Sequence, residues 1–245
     1  MFFYRVITKF LRWIMKKIFC LPYAGGSSAI YYKWRRLMSD SLTIHPIELK
    51  GRGTRINEDF HEHIDEAVND IYDLIKDQIR ECDYALFGHS MGGRLVYKLY
   101  CKIAEMQQKK PNHIFFSGCG IPKTKKAEGM IHALPDNLFL QRIMDMGGTS
   151  EELLHNKELQ QLYLPILRSD FKMLEEDVIS ENKTVMDCDI TVLHGINDKT
   201  ISSDLICNWG HYTLGKCNFY TFEGNHFFIH QFPNEITDIL NKTLR

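Results

Sequence analysis

The seven cysteines, at positions 20, 82, 101, 119, 188, 207 and 217, include no Cys-x-x-Cys pair and are odd in number. A disulfide scaffold, a zinc knuckle and a thioredoxin-type redox site are thereby excluded, and the thiols read as small buried residues of a reducing, cytoplasmic compartment. An excess of either charge is also missing: 30 Lys and Arg offset 31 Asp and Glu, for a net charge of −1. No global field therefore favours nucleic acid or an acidic partner, and any basic patch must be local. No uninterrupted apolar run reaches membrane-spanning length, and there is neither an internal repeat nor a low-complexity tract. Nucleotide fingerprints are absent as well. Gly25-Gly26 lacks the G-x-x-x-x-G-K-[ST] pattern of a phosphate cradle, and Gly118-Cys119-Gly120 does not continue as a dinucleotide motif.

What is present suits one large α/β domain: 245 residues, 44% of them hydrophobic, can bury a substantial core. At the N-terminus, Arg5, Lys9, Arg12 and Lys16 share helical spacing with Phe3, Ile7, Phe10 and Ile14. Residues 1–16 could thus form a basic amphipathic helix able to lie on a membrane surface. The cations interrupt any signal-peptide core and no cleavage site follows, so the segment reads as neither secretory nor spanning. We treat it as an appendage packed on the domain or frayed from it, or as lying ahead of a translation start at Met15.

From residue 17 onward strands alternate with helices. Strand patterns fall at 17–21, 42–49 (with Pro46 marking an edge or a bulge), 84–88, 113–117, 190–194 and 218–222. Helical patterns follow the turn at 22–28, run from Ile64 to Ile79, follow Ser90, and cover 203–214 and 234–244. The alternation implies right-handed crossovers and a mainly parallel central sheet with helices on both faces. Between about 119 and 187 the pattern is helical only, with apolar residues such as Leu138, Ile143, Leu153, Leu162 and Leu164 punctuated by Gly147-Gly148 and Pro165. A helical insertion near the strand ends reads as a lid, the plainer alternative being a helical subdomain.

The most informative stretch is FGHSMGG at 87–93. A buried strand enters it and a helix leaves it, so the chain must reverse within a few residues, and glycines two before and two after Ser90 remove the side chains that would clash. Ser90 is then held in a strained conformation at a helix N-terminus, where free N–H groups favour an oxyanion. A plain glycine turn is the competing reading. A serine hydroxyl needs a base, and the base an orienting acid. In a strand-turn-helix site of this kind they follow in the order Ser, Asp or Glu, His, each in a loop after a later strand. Asp198 follows the strand at 190–194 and His226 follows the strand at 218–222. Asp204 falls inside a predicted helix, and Asp187 and Asp189 precede their strand. Among the other histidines, His194 is within a strand, His230 is one turn further on, and His61 and His63 flank Glu62 on a face expected to be solvated. His89, beside the nucleophile, is expected to pack rather than to act as base. The oxyanion hole needs two backbone N–H groups: that of Met91, after the nucleophile, and that of Ala24, in the loop after the first strand.

These residues make the chain, from Ile18 onward, resemble the type II (external) thioesterases of non-ribosomal peptide and polyketide synthesis, which are related to medium-chain fatty-acyl thioesterases. The likeness is carried by FCLPYAGGSS at 19–28 with Tyr31 and Trp34, GRGTRINE at 51–58, FGHSMGG at 87–93, LPILRSD at 164–170, HGINDKTI at 194–201 and FEGNHFFI at 222–229. The family usually has proline where Lys50 stands and often a second glycine where Asn225 stands, which bears on the placing of His226. The resemblance implies an α/β-hydrolase fold with a helical lid, a Ser90-Asp198-His226 triad, and an oxyanion hole from the N–H groups of Ala24 and Met91. It also implies hydrolysis of acyl or aminoacyl groups from the phosphopantetheine arm of carrier proteins by a monomer needing neither metal nor other cofactor. A general carboxylesterase or lipase, a medium-chain fatty-acyl thioesterase and a non-catalytic binding module are the alternatives. The local basic surface expected for an acidic carrier domain is Lys123, Lys125 and Lys126.

Overall fold

Apolar side chains on both faces of short strands force a sheet covered on both sides. In the computed structural model, residues 15–122, 129–147, 151–177 and 184–245 are described, with backbone alone for Glu151, Ser203 and Asp204. Residues 1–14 of the amphipathic appendage, Gly148 and the lysines Lys123, Lys125 and Lys126 lie outside the described residues. Six strands form one sheet: β1 (Lys16–Leu21), β2 (Leu42–Pro46), β3 (Tyr84–His89), β4 (His113–Ser117), β5 (Asp189–Gly195) and β6 (Cys217–Phe222). Their order is β2-β1-β3-β4-β5-β6, and every pairing is parallel. Strand alternation divides the core. Phe19, Leu21, Tyr84, Leu86, Ile114 and Phe116 point to one face, where α1 (Ile64–Glu81) and α2 (Met91–Glu105) pack. Ile18, Cys20, Ala85, Phe87 and Phe115 point to the other, against Tyr31, Trp34 and the C-terminal helix Pro233–Thr243.

The insertion between β4 and β5 contains α3 (Asp136–Asp145), α4 (Glu151–His155) and α5 (Lys157–Glu176). They share a small core of their own, made by Phe139, Leu140, Ile143, Leu153 and Leu167. Leu138 and Leu162 are not on that inner face; they are 50% and 47% exposed. Pro165 does not end a helix either, since α5 runs through it. The carbonyl it deprives of a partner is that of Gln161, four residues back on an exposed stretch where water can take the bond.

Other boundaries shift for physical reasons. The expected strand at 42–49 stops at Pro46, which has no N–H for the ladder, and β2 is an edge strand. The segment after the first turn is a 3₁₀ helix over Ser28–Arg36. The helix expected over 203–214 divides into α6 (Ser203–Cys207) and a 3₁₀ stretch, Asn208–Tyr212. His61 is buried rather than solvated, within 3.2 Å of Asp70, which also receives Arg55. Cys207 is exposed, unlike Cys20, Cys82, Cys119 and Cys188, which are buried. No helix among the described residues is long and apolar enough to cross a membrane.

One buried contact between strands makes the fold sensitive to acid. His113 Nε2 lies 2.8 Å from Thr191 Oγ1 across β4 and β5, and burial pushes the imidazole down from 6.5 to about 4. The unfolded chain therefore takes up this proton first as pH falls. The contribution of the neutral ring is intact above 6.5 and is lost between there and about 4. At ~1.4 kcal/mol per pKa unit the loss is of the order of 3 kcal/mol. Urea midpoints measured across that range should fall steeply for the wild type and distinctly less for His113→Gln.

Candidate active site

The turn from β3 into α2 is closed by backbone contact that only glycine permits. A Cβ on Gly88 would sit 2.1 Å from the Gly92 carbonyl oxygen, and one on Gly92 would sit 2.1 Å from that of Leu21. Between them Ser90 adopts φ 55°, ψ −115°, a strained conformation for a residue with a side chain. The expected elbow is thus present, and its glycines act by close approach rather than by unusual dihedrals.

The sheet order reverses between β1 and β3, so the loops leaving their carboxyl ends lie side by side. Those loops carry Ala24 and Ser90; the loops after β5 and β6 carry Asp198 and His226. Ser90, His226 and Asp198 come within hydrogen-bond reach of one another in turn, and Ala24 lines the cavity beside Ser90. His226 Nε2 is 2.9 Å from Ser90 Oγ, and its Nδ1 is 2.7 Å from Asp198 Oδ2. Burial alone would raise the Asp198 carboxyl, but hydrogen bonds and charge from His226 and two bonds from Thr200 outweigh it and hold the group below the usual carboxylate range. Thr200 donates to Asp198 Oδ1 through both its N–H (2.8 Å) and its hydroxyl (2.6 Å), and its Oγ1 is also 2.9 Å from His226 Nδ1. In the sequence alone Thr200 carries little signal, only a hydroxyl two positions after Asp198.

Rival groups are placed elsewhere. His89 is fully buried, with Nδ1 2.8 Å from Ser117 Oγ, and burial pushes its pKa well below the ordinary value, so it packs as a neutral ring beside His226. His230 Nε2 is 2.8 Å from the Tyr23 hydroxyl, and His194 is half-buried in β5. Asp187 is occupied by Tyr100 and Lys110, and the Asp189 carboxylate accepts from Lys216 N. Asp204 falls within α6, with only its backbone described. Asn225 turns its side chain to the N–H of Phe227, at 2.9 Å, and His226 keeps both its partners.

A cavity of about 410 Å³ opens on Ser90, with Ala24, Met91 and His226 in its lining and Ile143, Met146, Leu167 and Phe171 walling it from the insertion. Met91 is the first residue of α2, so its N–H has no intrahelical partner, and the residue lines the cavity. Cys119 lines the same cavity, but burial pushes its thiol up to about 12, which leaves no thiolate to compete with the serine.

A buried ion pair fixes the Ala24 loop. Arg52 meets Asp170 of α5 through two bonds of 2.6 Å, with side chains 4% and 0% exposed. Asp170 Oδ2 also accepts the N–H of Gly25 at 2.7 Å, and Arg52 reaches the Gly26 carbonyl at 3.3 Å. Three segments far apart in the chain, around Gly25, Arg52 and Asp170, are thus joined at one carboxylate.

Comparison with known proteins gives the family. The family model described as "Thioesterase domain" matches residues 16–244. The chain is similar to the gramicidin S biosynthesis protein GrsT of Aneurinibacillus migulanus, at 29% identity over 94% of this chain and 89% of that protein. It is also similar to the medium-chain S-acyl fatty acid synthase thioesterase of Anas platyrhynchos, at 32% identity over 89% and 87%. Among solved structures, ClbQ from the colibactin NRPS/PKS pathway superposes with a TM-score of 0.88 at 35% identity, covering 94% of this chain and 97% of that one.

The ion pair makes a stability prediction. Asp170→Asn leaves Arg52 buried without a counter-charge and should cost about 3–5 kcal/mol in urea unfolding. Replacing both partners with methionine should cost less than the sum of the single changes, which a double-mutant cycle would measure.

Proposed function

The chain belongs to the thioesterase domain family, and from that premise we propose that it is a serine thioesterase that clears acyl or aminoacyl groups from the phosphopantetheine arm of carrier domains in non-ribosomal peptide or polyketide synthesis. The observation that carries the reading is His226 bridging Ser90 Oγ at 2.9 Å and Asp198 Oδ2 at 2.7 Å. His226 takes the Ser90 proton as the oxygen attacks the thioester carbonyl. Asp198 holds the ring so that Nε2 faces the serine and stabilises the imidazolium that forms. The N–H groups of Ala24 and Met91 receive the oxyanion. The C–S bond breaks, the pantetheine sulfur leaves as a thiol after taking the proton from His226, and the acyl group stays on Ser90. Water, deprotonated by His226, then attacks that ester and releases the acid, returning the proton to Ser90. None of these steps calls on a metal or a nucleotide.

In this reading residues 17–245 are the thioesterase domain and the helices between 119 and 187 are its lid, whose inner wall is Ile143, Leu167 and Phe171. The partner is a carrier protein in the cytoplasm, with which the relatives of peptide and polyketide pathways agree better than with a general esterase.

Two substitutions test the chemistry. Ser90→Ala should fold normally and lower hydrolysis of an acyl-phosphopantetheinyl carrier by at least about 10⁴-fold, with no acyl-enzyme visible by intact mass. Near-normal turnover in the purified variant would remove Ser90 from the mechanism. Asp198→Asn should lower kcat by about 10³- to 10⁴-fold, because the ring loses the charge that sets its tautomer. Should Asp204→Asn prove the more damaging of the two, the acid has been assigned to the wrong residue.

A further inference from the structure

Thr200 closes a triangle with Asp198 and His226. Its N–H and its hydroxyl reach Asp198 Oδ1 at 2.8 and 2.6 Å, and its Oγ1 is 2.9 Å from His226 Nδ1, which is itself 2.7 Å from Asp198 Oδ2. The protons follow from counting donors. An ionised carboxylate only accepts, so the single hydroxyl proton of Thr200 points to Oδ1. Towards the ring Oγ1 can then only accept. Both neighbours of Nδ1, Oδ2 and Oγ1, are therefore acceptors, and Nδ1 carries the proton they share. When the ring is neutral, Nε2 is left bare and faces Ser90 Oγ at 2.9 Å.

The Asp198 carboxylate is fixed at both ends, Oδ1 by Thr200 and Oδ2 by His226, and its side chain is fully buried. Thr200 is exposed and lines the cavity with Ser90, so it is the corner of this cluster that water can reach. The bond from the Thr200 N–H to Asp198 closes a tight turn that any residue except proline could make. The hydroxyl differs, because it links the acid to the ring a second time. Without it the ring has one tether instead of two, and the imidazolium formed when Ser90 gives up its proton loses an acceptor.

We infer that Thr200 is a positioning residue of the triad, whose hydroxyl, donating to Asp198 and accepting from His226 Nδ1, holds the ring so that Nε2 stays aimed at Ser90. The inference rests on the reading of Ser90, Asp198 and His226 as a catalytic triad and deepens it. Thr200 acts through His226, in acylation and deacylation alike, and takes no part in bond making.

The test uses Thr200→Val, which keeps the backbone bond and the outline of the side chain but loses the hydroxyl, and Thr200→Ser, which restores it. Two rates are read: phosphonylation of Ser90 by a small fluorophosphonate, followed by intact mass, and kcat for an acyl-pantetheine thioester per titrated site. Thr200→Val should lower both by about 10-fold, the lower end of the worth of a hydrogen bond to a charged group, and leave KM within about twofold. Thr200→Ser should recover most of the loss. In a His226→Ala background the valine change should alter phosphonylation by less than about twofold, since residues acting as a unit are not additive. A valine variant with wild-type rates, a serine variant as slow as the valine one, or an undiminished loss in the His226→Ala background would overturn the assignment. A wild type that is phosphonylated yet cleaves no thioester would end the thioesterase reading alone, because the phosphonylation rates still report on Thr200.

Discussion

The structure is organised around how closely the N-terminus of α2 approaches the sheet. Because Gly92 lies where a Cβ would be 2.1 Å from the Leu21 carbonyl oxygen, and Gly88 where one would touch Gly92, the helix starts directly against β1 and β3. That closeness forces the Ser90 conformation, φ 55°, and sets the serine beside the Ala24 loop. It also lets the loops after β5 and β6 reach the same point, since both strands are in parallel register on the far side of β4. Strain of order 1–3 kcal/mol at one residue is tolerated because flanking strands and helices fix everything around it.

Much of this was legible in the residues. Alternation and apolar runs located all six strands, because a parallel sheet covered on both faces demands them, and the glycines at 88, 92 and 93 marked the elbow. Ser90, Asp198 and His226 could be picked out because each follows a strand, a positional rule that needs no knowledge of contacts. What escaped were effects of tertiary partnership. Nothing local distinguishes the Arg52-Asp170 pair, 118 residues apart, from two surface charges. His61 looked solvated because its partner Asp70 is nine residues on, across the start of α1. Pro165 looked like a helix end, a bias that the packing of α5 overrides through Ile166, Leu167 and Asp170, all buried just beyond it. Leu138 and Leu162 showed that apolar residues in a helical pattern need not share its inner face.

The histidines illustrate how environment assigns different jobs to one side chain. His89 and His226 have ring centroids only 5.3 Å apart. His89 is fully buried, and burial holds its ring neutral. His226 touches a carboxylate on one side and a hydroxyl on the other. Two protonated rings at that distance would repel, and burial keeps His89 from adding a charge beside its neighbour.

Helix α5 and the loop of Ala24 are parts of one mechanical unit. Leu167 of α5 leans on Gly25 so closely that a Cβ there would be 2.5 Å from it, and three residues on Asp170 takes both the Gly25 N–H and the Arg52 fork. Leu167 also walls the cavity beside Ser90. The helix that walls the cavity is therefore the one that fixes the loop of Ala24, and it cannot shift without loosening that loop. A buried ion pair is a weak source of net stability, since desolvation offsets most of its attraction. Its value here lies in direction: a bidentate fork admits one arrangement of three segments, and that arrangement brings Ala24 and Met91 to the same cavity wall as Ser90.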